Sequence, residues 1–204
     1  MMAGWRTHTG TALLLPLDNV DTDQLIPARF MSTPRSEGYG KYLLHDLRHD
    51  EEGVQNPDFP LNTCPDASIL VAGRNFGSGS SREAAVYALV DAGIRAVIAP
   101  SFGDIFASNA VNNGLLPARV DEDATSTLHA ALANNPSEVT IDLDTGTVTL
   151  GQHTLAFALQ NNWRTKLING WDDIDLTLQH ADAIRSFRDS RHSTDGWAWP
   201  ATPN

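Results

Sequence analysis

The residues with the clearest capacity for chemistry lie in one glycine-rich segment, Gly77-Ser78-Gly79-Ser80-Ser81-Arg82-Glu83. Its glycines allow the backbone to turn tightly and to come close to a ligand. Ser80 and Glu83 have the spacing of a capping box, which predicts a helix with Ser80 as its N-cap. The free N–H groups and the dipole at that end of a helix favour an anion, and Arg82 adds a guanidinium suited to a carboxylate or phosphate. The segment therefore predicts either a well-capped helix or an anion site.

Two nucleotide-binding motifs do not fit this segment. A Walker A loop needs Gly-Lys followed by Ser or Thr, and the segment contains no Gly-Lys pair. The dinucleotide fingerprint needs a third glycine, but Arg82 occupies that position after Gly77 and Gly79. The bulk of an arginine would prevent the close approach of helix and strand that the third glycine permits. The segment is therefore interpreted as a carboxylate site.

A second candidate is the acidic segment Asp18-Asn19-Val20-Asp21-Thr22-Asp23. Its alternating carboxylates resemble part of a calcium loop, but the glycine and the distal glutamate of such a loop are missing. A carboxylate that faces Arg82 would hold the guanidinium in place. The alternative is a surface turn in which the aspartates bond only to their own backbone.

Composition restricts the class of protein. The 204 residues are 41% hydrophobic and 19% charged, as in an ordinary globular domain. Lys and Arg number 14 against 25 Asp and Glu, and the net charge of -11 disfavours nucleic acids and anionic membrane surfaces. The single cysteine, Cys64, cannot form an intrachain disulfide, and it cannot by itself hold zinc or an iron–sulfur cluster. No secretory signal is recognisable at the N-terminus, so a cytoplasmic location is expected.

Apolar patterns, and glycines that end helices, predict the helices and strands that position these residues. The central part predicts a β-α-β-α-β unit with parallel strands, built from Ser68–Ala72, Ser80–Ala92, Arg95–Ala99, Ser101–Asn113 and Leu115–Val120. A strand at Thr9–Leu15 precedes this unit. A helix at Asp123–Asn134, a hairpin around Asp144-Thr145-Gly146, a strand at His153–Leu159 and helices at Trp163–Asn169 and Leu178–Arg188 follow it.

Two regions do not fit this regular pattern. Residues 31–60 mix glycine, proline and charge, with a short helical possibility around Lys41–Leu47, and they are predicted to form a mobile lid without a core of its own. Residues 191–204 are predicted to be a disordered tail. The whole chain, residues 1–204, is expected to be a single domain.

Four segments occur together in an order that is specific to one family. They are DNVDTDQLIPARF, GRNFGSGSSREAA, AVIAPSFGDIFASNAVNNGLLP and WDDIDLTLQHADAI. With them, residues 9–190 resemble the small subunits of 3-isopropylmalate dehydratase, in the aconitase superfamily. The resemblance implies an α/β fold, the swivelling β/β/α domain of aconitase with a central, mostly parallel sheet.

The resemblance also implies an activity and a partner. The reaction is the dehydration of 2-isopropylmalate and rehydration to 3-isopropylmalate, in leucine biosynthesis. The partner is a large subunit, in a heterodimer or heterotetramer, which holds a [4Fe-4S] cluster through three cysteines of its own, while no metal or cofactor is expected in this chain. By residue, the family pattern implies that Ser80 is the catalytic base. It implies that Ser81 and Arg82 bind a substrate carboxylate and that Asp23 supports the site.

Some positions depart from the family pattern or leave alternatives open. Family members often read Ser-Arg-Glu-His-Ala, whereas Ala84 and Ala85 follow Glu83 here. The loop from about Met31 to Arg48 is expected to select the substrate, with Tyr42-Leu43-Leu44 suited to an apolar isopropyl group. Arg29 or Arg35 is expected nearby as a further contact. A sibling dehydratase for citraconate, dimethylmalate or a homologous tricarboxylate is the first alternative. A non-catalytic assembly module is the second, and the intact Ser80-Ser81-Arg82 argues against it.

Overall fold

A single seven-stranded sheet organises the chain, of which the computed structural model describes residues 3–199. The strand order is β4-β3-β2-β1-β5-β6-β7. In chain order the strands are β1 (Thr7–Leu15), β2 (Ile69–Ala72), β3 (Ala96–Ala99), β4 (Leu116–Arg119), β5 (Ser137–Asp142), β6 (Thr147–Leu150) and β7 (His153–Ala156).

One half of the sheet is parallel and the other is antiparallel. β1 to β4 pair in parallel, with Leu13 opposite Leu70 and Leu70 opposite Val97. β2 and β3 are buried at every residue, which explains their continuous apolar sequences. β1 then pairs antiparallel with β5, and the hairpin β5–β6 and strand β7 extend that side. The predicted α/β class, parallel unit and hairpin are confirmed.

The two faces of the sheet carry separate cores because successive side chains of a strand point in opposite directions. From β2, Leu70 and Ala72 belong to one core, and Ile69 and Val71 belong to the other. The first core also contains Phe76, and the second is closed in part by Leu128.

Helices cover both faces and fill the connections. Short helical turns occupy the first third of the chain, and longer helices follow the strands. They are α1 (Thr22–Leu25), α2 (His45–Arg48), α3 (Pro60–Thr63), α4 (Glu83–Asp91), α5 (Asp104–Asn112), α6 (Glu122–Leu132), α7 (Asn161–Asn169), α8 (Asp173–Leu178) and α9 (Ala181–Thr194).

Several predicted boundaries are wrong. α4 begins at Glu83, not at Ser80, because residues 80–82 form a tight turn with Arg82 N–H 2.7 Å from the carbonyl of Ser80. α9 runs to Thr194, so the first residues of the predicted tail are helical. The predicted disorder of residues 200–204 lies outside the described residues.

The predicted lid contributes to the core. Leu43 and Leu44 are fully buried, and the Leu44 N–H donates to the carbonyl of Leu25 at 3.0 Å. The expectation that Leu43 and Leu44 would face an isopropyl group is therefore wrong, because both pack inside the domain. Residues 51–58, by contrast, are all exposed.

Amide hydrogen exchange tests this division of the lid. In the isolated chain we expect the Leu44 amide to exchange as slowly as those of β2, because exchange there requires the core to open, and residues 51–58 to exchange fast. Mobility of residues 31–60 that decreases when a large subunit binds stays a prediction, and the same measurement on the complex tests it. Fast exchange at Leu44 would contradict the packing described here.

Candidate functional site

The acidic segment and the glycine-rich segment meet at the carboxyl ends of β1 and β2. Parallel pairing brings these ends together, and hydrogen bonds then join the two loops. The Gly77 N–H donates to the carbonyl of Val20 at 2.7 Å, and the Thr22 N–H donates to the carbonyl of Ser78 at 2.9 Å. The Thr22 hydroxyl donates to the carbonyl of Ser80 at 3.0 Å. Each loop therefore fixes the course of the other.

Both the backbone conformation and the close packing at position 77 require a glycine. Its φ of +72° lies in the left-handed region, and a Cβ there would be 2.2 Å from the ring of Phe106 in α5. Asp21 adds local order on the other loop, where its carboxylate accepts from the Gln24 N–H at 2.7 Å in a capping box. The acidic segment is thus more than a surface turn, since it is anchored at both Asp21 and Thr22.

Ser80 and Ser81 are exposed at the entrance to α4. The predicted capping box is absent, because the N-cap position belongs to Arg82 and no side chain caps the helix. The serine hydroxyls and the amino end of a nine-residue helix are consequently available to a ligand.

Arg82 and Asp23 form a salt bridge across the two loops. The Arg82 side chain is 24% exposed and the Asp23 side chain is 52% exposed. A guanidinium carries five N–H donors. Asp23 can therefore fix its orientation while other donors remain for a second carboxylate. The expectation that an acid faces Arg82 is confirmed, whereas the roles of both residues in catalysis remain predictions.

Contacts from distant parts of the chain hold α4 along its length. The Asn113 amide donates to the Glu83 carboxylate at 2.9 Å. The Arg35 guanidinium lies 3.4 Å from the centre of the Tyr87 ring, and it is 3.5 Å from Asp91. Burial, followed by the neighbouring Glu83 carboxylate, raises the pKa of Tyr87.

The alternatives Arg29 and Arg35 are both engaged elsewhere. Arg29 pairs with Asp46, and Arg35 pairs with Asp91. Neither is joined to the Arg82–Asp23 pair in the described residues, so the structure assigns neither to the carboxylate site.

Two kinds of feature are absent from the part of the chain that the structure describes. Residues 3–199 contain no cluster of three or more His, Cys, Asp or Glu side chains that could hold a metal ion. Over the same residues, no helix has the length and apolar character needed to cross a membrane.

Sequence reasoning did not predict the long-range contacts that support the site. Thr22 lies 58 positions from Ser80, Phe106 lies 29 from Gly77 and Asn113 lies 30 from Glu83, and no local periodicity connects such distant positions. The sequence contains one signal for such a contact. Two adjacent asparagines stand at the C-terminal end of a predicted helix, where their amide groups can bond to residues outside that helix.

Comparison with known proteins first identifies the class. A family model described as the aconitase C-terminal domain matches residues 2–123, which include both loops of the site. A second model, the C-terminal domain of the 3-isopropylmalate dehydratase small subunit, matches residues 173–198. Fold and site thus define an aconitase-type C-terminal domain.

Relatives narrow the class to one family. The chain is 43% identical over 91% of its length, and over 96% of the other protein, to a 3-isopropylmalate dehydratase small subunit of Bacillus cereus. It is 42% identical to that of Bacillus cytotoxicus over 93% of this chain and 98% of the other. A crystal structure of 3-isopropylmalate dehydratase (leuD) from Methanocaldococcus jannaschii has a TM-score of 0.64 and 29% identity, and the match covers 89% of this chain and 99% of that one. The chain belongs to the family of 3-isopropylmalate dehydratase small subunits.

Because no side chain caps α4, the stability of the domain is expected to depend little on Ser80. Because Ser80 does not cap α4, Ser80→Ala should change the free energy of unfolding by less than about 0.5 kcal/mol. Asp121→Ala is the matched control, since the Asp121 carboxylate accepts from the Ala124 N–H at 2.8 Å. That variant should lose about 1 kcal/mol. Urea unfolding measures both, and an equal loss in the two variants would show that Ser80 is a cap.

Proposed function

We propose that this chain is the small subunit of a heteromeric hydro-lyase that interconverts 2-isopropylmalate and 3-isopropylmalate by dehydration and rehydration, in leucine biosynthesis. The observation that carries the proposal is the Arg82–Asp23 pair beside the exposed Ser80 and Ser81, at the uncapped start of α4. Relatives at about 42% identity, named as small subunits of this dehydratase, support it. Synthesis of an amino acid from small soluble acids also favours the cytoplasmic location that the sequence predicts.

Arg82 is proposed to bind a carboxylate of the substrate. Its planar guanidinium can hold a carboxylate through two N–H groups, and the salt bridge with Asp23 orders the side chain before substrate arrives. Ser81, exposed next to Arg82, can donate its hydroxyl to the same carboxylate. A chain with a net charge of -11 must concentrate positive charge locally to bind a dianion, and the start of α4 contributes to that.

Ser80 is proposed to remove a proton from the substrate. A serine hydroxyl is ordinarily far too weak an acid to exist as an alkoxide, so its environment has to stabilise the negative charge. The N–H groups at the start of α4 and the guanidinium of Arg82 can supply preorganised donors. Such donors act strongly only where water is excluded, and Ser80 is exposed in the isolated chain. Catalysis therefore requires a partner that covers this edge of the sheet.

The residues of this chain do not fit an iron–sulfur cluster. Cys64 is its only cysteine, and residues 3–199 hold no group of candidate ligands around it. We therefore propose that the [4Fe-4S] cluster of the assembled enzyme is held by cysteines of the large subunit, in a heterodimer or heterotetramer. The contribution of this chain is limited to binding, orientation and proton transfer.

Reconstitution with the large subunit tests the roles proposed for the two subunits. Purified alone, the chain should carry no iron and show no turnover. Combined under anaerobic conditions with the large subunit of the same organism, it should convert 2-isopropylmalate faster than citraconate, dimethylmalate or a homologous tricarboxylate. Preference for one of the other acids would identify a sibling dehydratase. Binding to the large subunit without turnover of any acid would instead indicate an assembly module.

Kinetics of the reconstituted enzyme separate the base from the carboxylate ligand. Ser80→Ala should lower kcat by about a hundredfold or more with little change in KM, because Arg82 and Ser81 remain to bind substrate. Arg82→Lys keeps the charge but loses the planar fork, so it should raise KM as well as lower kcat. Ser126→Ala, on the distant helix α6, is the control and should behave as wild type. A kcat close to wild type in Ser80→Ala would exclude Ser80 as the base.

A further inference from the structure

A cavity of about 560 Å³ lies beside the candidate site, at the carboxyl ends of β3 and β4. The loop after β3 forms one wall, and the start of α7 with the segment before it forms the other. Phe102, Leu159 and Trp163 make the lining partly apolar, while Ser101, Asp104 and Arg119 add polar groups. A volume of this size with a few polar groups is typical of a binding cavity.

Arg119 belongs to the minority of basic residues whose side chain has no polar partner. Most lysines and arginines make a salt bridge or a side-chain hydrogen bond, as Arg82 does with Asp23 and Lys166 does with Asp173. Within residues 3–199, Arg119 makes neither, although Asp and Glu outnumber Lys and Arg by 25 to 14. Its backbone is fixed, because the Ala158 N–H donates to the carbonyl of Arg119 at 2.7 Å. The exposed guanidinium of Arg119 therefore lines the cavity from a fixed backbone position, and its N–H donors face solvent and not a carboxylate of the described chain.

The wall of the cavity also supports the candidate site. The Ser101 hydroxyl accepts from the Asn75 N–H at 2.8 Å. The Phe76 N–H donates to the carbonyl of Ser101 at 3.1 Å, and the Gly103 N–H donates to the carbonyl of Phe76 at 2.9 Å. The wall of the cavity is therefore joined by hydrogen bonds to the segment that leads directly into Gly77.

The position of the cavity indicates what covers it. Neighbouring strands lie about 4.8 Å apart, so the ends of β3 and β4 lie within about 10 Å of the end of β2. On the proposed function, a large subunit must cover this edge, because substrate bound at Arg82 has to meet groups that the chain lacks. A partner surface that closes over Ser80 and continues along this edge of the sheet would reach Arg119.

We infer that this cavity is a docking site for the large subunit, which inserts a carboxylate side chain next to an aliphatic or aromatic one. The inference rests on the proposed function. The carboxylate pairs with Arg119, and its apolar neighbour packs against Trp163 and Leu159. Asp104 adds a negative charge to the same lining. A protein side chain that brings one carboxylate is repelled less by Asp104 than a free dianion such as the substrate, which brings two.

Affinity for the large subunit tests the inference. The dissociation constant is measured by calorimetry, under anaerobic conditions, for wild type, Arg119→Glu and Arg185→Glu. Arg185, on the exposed helix α9, is the control for the change of charge, and it differs from Arg119 in that it pairs with Asp182. Arg119→Glu should weaken binding about tenfold or more, since it places a carboxylate against a carboxylate, and Arg185→Glu should stay within about threefold of wild type. Arg119→Gln should weaken binding less, and it should reduce the dependence of binding on salt.

The outcomes separate this inference from the proposed function. If wild type does not bind the large subunit, the proposed function itself fails. If wild type binds and Arg119→Glu binds equally well, the docking site is wrong. At saturating large subunit, the kcat of Arg119→Glu should return to near wild type, because Arg119 is not expected to touch substrate. A low kcat with unchanged affinity would overturn the inference and assign Arg119 to the substrate. Unchanged far-ultraviolet circular dichroism confirms that each variant is folded.

Discussion

The parallel pairing of β1 with β2 is the constraint on which the site depends. The two strands are separated by more than fifty residues of chain, and their pairing brings the acidic loop to the glycine-rich loop. Backbone bonds such as Thr22 N–H to Ser78 then lock the loops together, and the Arg82–Asp23 pair crosses between them. A change that shifted either strand by one residue would move its side chains to the opposite face and separate the pair.

The candidate site is open to solvent in the isolated chain, as expected of a site that a second surface completes. Ser80 and Ser81 stand in solvent, where the field of a helix end and a guanidinium is strongly screened. The same donors become effective when a second surface excludes water, so the geometry is suited to a subunit that closes onto a partner. The chain carries 25 Asp and Glu against 14 Lys and Arg, so Arg82 is a local positive charge on a chain that otherwise repels anions.

The C-terminal region is attached to the same framework by a buried lysine. The Lys166 side chain is 3% exposed, and it pairs with Asp173 and donates to the Asn112 amide at 2.9 Å. The hydrogen bond with Lys166, and then that with Asn112, lowers the pKa of Asp173. Because Asn113 follows Asn112 and binds Glu83, a chain of contacts leads from the start of α8 to the residue after Arg82. Residues 173–198, which match the second family model, thus begin at a contact with α5.

The sequence by itself determined the fold class, the parallel strands, the hairpin and the two loops that carry the site. These features depend on local patterns, such as the apolar runs of β2 and β3 and the glycines that allow a tight turn at Gly77. The resemblance to the family supplied the proposed roles of Ser80, Ser81, Arg82 and Asp23, which stay predictions. The tertiary structure decided that Ser80 does not cap α4, that Leu43 and Leu44 are core residues and that Arg29 and Arg35 bind elsewhere. It also decided that Asn113 supports Glu83 and that Arg119 has no partner in the described chain. The physical reason is that burial and pairing depend on which distant segments pack together, and a single sequence records only the local preferences of each segment.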